Sequence, residues 1–226
     1  MAPSSEPVSD PADLTLDELR AVLAPHIAAA AAFDGWSELA VRDAAAKIDA
    51  DPDVATYAFR DGQMAMIEAW IGHVDAAMEA AFADDRLDNM SIRERIRQLV
   101  EFRLNAIAGM EESLRRALAV MAMPQNVSKS LRLGWRTADR MWRLVGDTAT
   151  DYNYYTKRAT LSGIYAATLG IFAGDESEGK SETKAFLDRR IEGIMRFEKA
   201  KAKILRPADE RFSVARFLGR LRYPAK

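Results

Sequence analysis

Apolar side chains recur three and four positions apart along nearly the whole chain, the spacing of a single helix face, and strand-like alternation is scarce. Leu16, Leu19, Leu23 and Ile27 mark a first helix over about 14–32, which Asp34-Gly35 stops. Short helices are predicted over 38–48 and 52–57, then a longer one over 63–85 that runs into the charged turn DDRLDN. Ser91, with Glu94 three residues on, makes a capping box that opens a helix to about 108. Its stripe is Ile92, Ile96, Leu99 and Arg103, beside Val100 and Leu104. Helices over 112–121 and 126–145 follow, the first ending before Pro124 and the second closed by Gly146. A helix over 153–172 carries Leu161, Ile164, Tyr165, Thr168 and Phe172, and a last core helix spans 183–205 before Pro207. The pattern predicts an all-α bundle of about nine helices with one short amphipathic helix appended.

Composition adds exclusions. Apolar residues make up 49% of the 226, enough for a sizeable core. Cysteine is absent, which rules out disulfides, thiolate catalysis and zinc–cysteine sites. No window approaches the ~18–20 uninterrupted apolar residues of a membrane-spanning helix. Residues 1–12 are rich in Pro and Ser and read as a disordered tail without the marks of a signal or transit peptide, so a cytoplasmic protein is expected. The net charge of −2 hides an asymmetry. Residues 1–63 hold 12 acids and 4 bases, whereas residues 189–226 hold 4 acids and 12 bases. The C-terminal end is therefore expected to meet an anionic surface, unless these charges are only solvated helix faces.

Residues suited to chemistry are lacking. The two histidines, His26 and His73, stand in no spacing that would ligate a metal from one helix. There is no Gly-rich phosphate loop, nucleophile elbow or dinucleotide fingerprint. Asp147 and Asp151 read as capping charges at a helix start. No catalytic residue, metal ligand or cofactor is expected.

Three apolar features remain. Large, soft side chains crowd residues 118–145, which is either ordinary helical core or the wall of a ligand pocket. The candidate lipid-contacting set is Leu118, Met121, Leu131, Trp135, Trp142, Leu161 and Tyr165. The run GDTATDYNYYTKRATL puts Tyr154 on the apolar stripe, with Tyr155 and Arg158 toward its polar edge, as an interface or as an aromatic staple at a helix start. Finally, Val214, Phe217, Leu218 and Leu221 form a stripe with Arg216 and Arg220 opposite and Arg211 and Arg222 flanking. A helix this short needs a surface to dock on, either an anionic bilayer or protein.

Residues 33–69, FDGWSELAVRDAAAKIDADPDVATYAFRDGQMAMIEA, resemble the helix-turn-helix region of TetR-type regulators. Electrostatics argue against DNA reading. Asp49, Asp51 and Asp53 occupy the turn and second helix with no base between Lys47 and Arg60, whereas phosphate contacts need cations. A ligand-responsive TetR-type regulator is therefore the alternative reading, and the motif is expected to be vestigial.

The chain resembles the ubiquinone-biosynthesis lipid-binding family over nearly its whole length, from FDGW through MPQNV, DRMW, GDTATDYNYYTKRATL and AFLDRR. The resemblance implies a TetR-like homodimer that is non-enzymatic and binds isoprenoid quinone intermediates or phospholipid between its helices. It implies a C-terminal helix touching the membrane and a surface that docks a ubiquinone-ring hydroxylase. That surface falls on Asp139, Met141, Asp151, Tyr154, Tyr155 and Arg158. At Tyr154 the chain departs from the mitochondrial branch, which has tryptophan there; the lack of a transit peptide implies a bacterial member, peripheral on the inner membrane surface. Dimerisation is expected around Leu169–Phe172 and Leu187–Met195. The resulting organisation is a tail over 1–12, a helix-turn-helix-like region over 13–62, a ligand-binding and dimerisation bundle over 63–206, and a basic membrane-contact helix over 207–226.

Overall fold

The computed structural model describes residues 11–148 and 152–204, and among them every regular element is helical. The expected N-terminal tail to residue 10, Asp151, and the membrane-contact helix lie outside the described residues. Two compact units divide the chain, Met1–Leu187 and Asp188–Lys226.

The first unit begins with α1 (Leu16–Asp34), α2 (Glu38–Lys47) and α3 (Pro52–Ala58). Thr15 caps α1 in a reciprocal box with Glu18, a second S/T-x-x-E signature beside the one at Ser91. Gly35 ends α1 at φ 68°, a left-handed conformation that glycine adopts without the penalty of a Cβ. Small residues on the inner face of α1, Ala24, Ala28 and Ala31, are fully buried and let its neighbours approach closely. Helix α1 packs on α2, α3, α4 (Gln63–Ala81) and α6 (Glu111–Met121). Trp36 fastens this N-terminal group to the rest. Its indole stacks at 5.4 Å on Trp70 of α4, and its Nε1 donates to the Ser113 carbonyl of α6 at 3.1 Å. Ser113 in turn donates to the Ala28 carbonyl at 2.5 Å.

The remaining helices are α5 (Ile92–Ala106), α7 (Val127–Leu144), α8 (Tyr152–Gly174) and α9 (Ser181–Ile204). Helix α7 lies along α8, and α6 packs on α8 beside them. Gly134 makes the α7–α8 approach close, since a Cβ there would stand 2.7 Å from Ser162 Oγ. Helix α4 ends at Ala81, four residues short of the expected stop, because Phe82 caps it ahead of the acidic turn. The expected stripe of α5 holds except at its start. Ile96, Leu99, Val100, Arg103 and Leu104 are buried, while Ile92, the first helical residue, is exposed at the solvent end. Asp175 opens the first turn of α9, accepting from the Thr183 amide at 2.8 Å and its hydroxyl at 2.6 Å. Phe172 and Leu187, expected near a dimer interface, are buried within one chain, whereas Ile171 is exposed. The second unit is described only as the continuation of α9 to Ile204.

The box at Ser91 satisfies two backbone donors of α5 at once. Ser91→Ala is expected to lower unfolding stability by about 1 kcal/mol in urea titration without changing the helical circular dichroism at low denaturant.

Candidate ligand cavity and docking face

A cavity of about 350 Å³ opens among α4, α5, α6, α7 and α8. Its wall is almost wholly hydrocarbon: Ile67, Trp70, Ile71 and Val74 from α4, Leu114, Ala117 and Leu118 from α6, and Leu133 from α7. Four of the seven lipid-contacting candidates line it, namely Leu118, Met121, Leu131 and Tyr165. The other three do not. Leu161 is buried core next to the cavity rather than on it. Trp135 and Trp142 project from α7 toward α8 instead. Trp142 donates to the Lys157 carbonyl at 3.1 Å, and Trp135 packs on the rings of Tyr154 and Tyr155. Helical periodicity explains the miss, because an α7 wedged between α4 and α8 has two buried faces and a single stripe does not separate them.

The mouth of the cavity is at the start of α7. Leu131 and Val127 line it and are nevertheless 68% and 41% exposed, with Met123 of the preceding turn exposed beside them. The far wall is closed by a polar group that the candidate list did not contain. Arg103 of α5 and Asp75 of α4 form a buried ion pair, and the Thr137 hydroxyl of α7 donates to the same carboxylate at 3.2 Å. Burial works against the charge on Arg103, but the neighbouring Tyr165 and Asp75 hold its pKa above the ordinary arginine value. The sequence signal was there: an arginine in the middle of the α5 apolar stripe.

The expected docking residues fall into two kinds. Tyr155 is 60% exposed and stacks edge-on with Tyr154 at 5.1 Å, and both meet Trp135. Arg158 was placed on the polar edge and is instead 2% exposed. Its Nε donates to Asp139 at 2.5 Å, its Nη1 to Asp147 at 3.0 Å, and its guanidinium covers the Tyr154 ring at 3.5 Å. It is a clamp between α7 and α8, because two carboxylates can solvate the fork that burial strips of water. Met141 is likewise core, fully buried. Asp139 is half-buried and also pairs with Arg143 at 2.8 Å. Asp147, read as a capping charge, is the second anchor of the clamp and binds Lys157 at 2.7 Å.

In the helix-turn-helix region, Asp51 accepts from the amides of Asp53 and Val54 to cap α3. Arg42 is held by Glu38 at 3.1 Å and Asp53 at 3.2 Å, which raises its pKa. Arg60 stacks on Tyr57 at 4.5 Å. The cations nearest α3 are thus engaged by their own neighbours, and the helix presents carboxylates.

The model of the family described as COQ9 matches residues 127–198, the stretch that contains α7, the clamp and the tyrosine pair. A ubiquinone biosynthesis protein COQ9 of Rattus norvegicus is 30% identical over 167 residues, covering 71% of this chain and 54% of the relative. That of Homo sapiens is 37% identical over 100 residues, covering 44% of this chain and 31% of the relative.

The family that the chain resembles is COQ9.

The chain spans about half the length of the curated COQ9 relatives from rat and cattle. Its fold is TetR-like. A TetR transcriptional regulator from Nitrosomonas europaea ATCC 19718 superposes with a TM-score of 0.61 at 22% identity, covering 76% of this chain and 95% of that one. The expected cytoplasmic, bacterial setting is corrected by the relatives, which are named as mitochondrial proteins in rat, cattle and Schizosaccharomyces pombe. That expectation rested on the composition of the first residues, which carries no such information in a chain matching about half of its relatives' length.

The clamp has a pH signature. Burial opposes ionisation of Asp139, but the hydrogen bond from Arg158 and the charges of Arg143 and Arg158 outweigh it and hold its pKa below the usual aspartate value. A folded pKa below the unfolded one stabilises the protein above about pH 4, and the contribution is lost as pH falls through the folded value. Asp139→Asn should therefore lower the urea midpoint at about pH 7, and the gap to the parent protein should narrow toward about pH 2. A gap constant across that range contradicts the clamp.

Proposed function

We propose that this chain is a non-enzymatic accessory protein of ubiquinone biosynthesis that holds a polyprenyl-quinone intermediate and presents it to a ring hydroxylase. The observation that carries the reading is the hydrocarbon-walled cavity, open past Leu131 and Val127 onto an exposed apolar rim. A long isoprenoid tail is almost insoluble in water, and such a wall replaces the lipid contacts that it gives up on leaving a bilayer. The relatives' names supply the pathway, ubiquinone biosynthesis.

The docking role is supported by position. Leu131 at the mouth and Trp135 are one turn apart on α7, and Tyr155 on α8 packs against Trp135. An exposed tyrosine, Tyr155, backed by the half-buried Tyr154 and a tryptophan is the composition of an interface centre, here next to where a guest would emerge. A C-terminal apolar stripe at Val214, Phe217, Leu218 and Leu221, with Arg216 and Arg220 opposite, would hold the protein at a membrane, and a homodimer is part of the same reading. A ligand-responsive DNA regulator shares the fold but is disfavoured by the carboxylates on α3.

Three outcomes test this. Ala117→Phe places a ring into the cavity from a fully covered wall position. It is expected to reduce co-purified isoprenoid or phospholipid in native mass spectrometry at least severalfold while helicity stays unchanged; undiminished lipid removes the cavity from the function. Tyr155→Ala should weaken association with the hydroxylase by about tenfold or more, the loss typical of a central aromatic. Deleting residues 209–226 should abolish flotation with anionic vesicles, and unchanged flotation sinks the membrane assignment.

A further inference from the structure

Arg103 is an unusual wall residue for a cavity that takes a hydrocarbon. It is 2% exposed and lines the cavity, yet its Nε–H has no hydrogen-bond acceptor among the described residues. The rest of the local polar group is accounted for. Asp75 takes the Arg103 Nη1 and the Thr137 hydroxyl, and Arg140 approaches its other oxygen at 3.7 Å. The face of the guanidinium lies 5.0 Å from the Tyr165 ring. A buried donor left unpaired is costly, and a guest made only of methylene groups would leave it so.

We propose that Arg103 is the anchor of the cavity, donating from Nε to a neutral oxygen (a quinone carbonyl or a phenolic oxygen) on the polar head of the guest. This deepens the lipid-holding reading and rests on it. The head enters first, toward the wall where Arg103, Thr137 and Tyr165 are buried, and the tail leaves past Leu131. Size agrees with that orientation. A volume of about 350 Å³ is at the small end of ligand sites and holds a substituted ring with the first part of a chain, so a long tail must extend through the mouth. Charge decides between a neutral and an anionic head. Two guanidiniums, Arg103 and Arg140, face two carboxylates, Asp75 and Glu79, the last bound to Arg140 at 3.3 Å. The group is balanced, with no excess cation to hold a phosphate or carboxylate away from water.

The test compares three probes of matched tail on the 226-residue protein: farnesyl-1,4-benzoquinone, farnesylbenzene and farnesyl phosphate. Quenching of tryptophan emission reads quinone binding, since Trp70 lies on the wall, and competition reads the other two. The parent protein is expected to prefer the quinone over farnesylbenzene by roughly ten- to a hundredfold, the worth of a hydrogen bond from a charged donor. The double variant Asp75→Leu with Arg103→Met removes the donor without leaving a lone buried charge, so it should fold. In it the preference is expected to fall to about one while farnesylbenzene still binds, and Arg103→Lys is expected to restore it only in part. The carbonyl stretch of the bound quinone should move to lower frequency in the parent and not in the double variant. Equal affinity for quinone and farnesylbenzene in the parent overturns the anchor and leaves the cavity reading standing. Binding of neither probe overturns the cavity reading and the anchor with it, and tighter binding of farnesyl phosphate overturns the neutral head.

Discussion

One buried carboxylate fixes how three of the helices around the apolar cavity meet. Asp75 gathers Arg103 from α5 and Thr137 from α7 onto α4, so three helices are tied at one point on the closed side of the cavity. The atoms that line the cavity forgo dispersion contacts that a solid core would give them. A buried ion pair is a weak source of net stability but a strict specifier of geometry, because a helix that slides leaves a charge without its partner.

Outside the cavity the same logic recurs with less burial. Glu68 of α4 holds Lys129 and Arg136 of α7, each at 2.9 Å, and Glu79 holds Arg140. On the other side of α7, Arg158 links α8 to Asp139 and to Asp147 beyond the end of α7. Helix α7 is thereby fixed from both sides while its N-terminal turns, with Val127 and Leu131, stay uncovered at the mouth. Rigid walls, an open rim and an aromatic pair at its edge are distinct jobs that fall to different faces of one helix. The N-terminal group of α1 to α3 is clamped to α4 and α6 through Trp36. Helix α3 presents carboxylates, and Asp53 holds Arg42 at 3.2 Å.

Much of this was legible in the order of residues alone. Helix number, order and most boundaries follow from the 3.6-residue recurrence of apolar positions, from the Ser91–Glu94 box, and from Gly35 and Gly146, because these are local preferences that neighbours a few residues away decide. The acidic character of the α3 region is likewise local. The COQ9 resemblance was carried by contiguous runs, of which DRMW, GDTATDYNYYTKRATL and AFLDRR lie in the matching segment 127–198.

What only the tertiary structure decided is which partner each inward face meets. Trp135 and Trp142 lie on the same helix as the cavity wall but turn to α8, and no stripe tells two buried sides of a helix apart. Arg158 and Met141 read as surface or boundary residues and are buried, since a charge is hidden or exposed according to acceptors as far away in sequence as 19 residues. Asp75 and Arg103 are 28 residues apart on different helices, and nothing local links them. The sequence by itself settled where the chain coils. The pairing of distant charges and rings, which only the folded chain brings together, settled which faces of those helices meet.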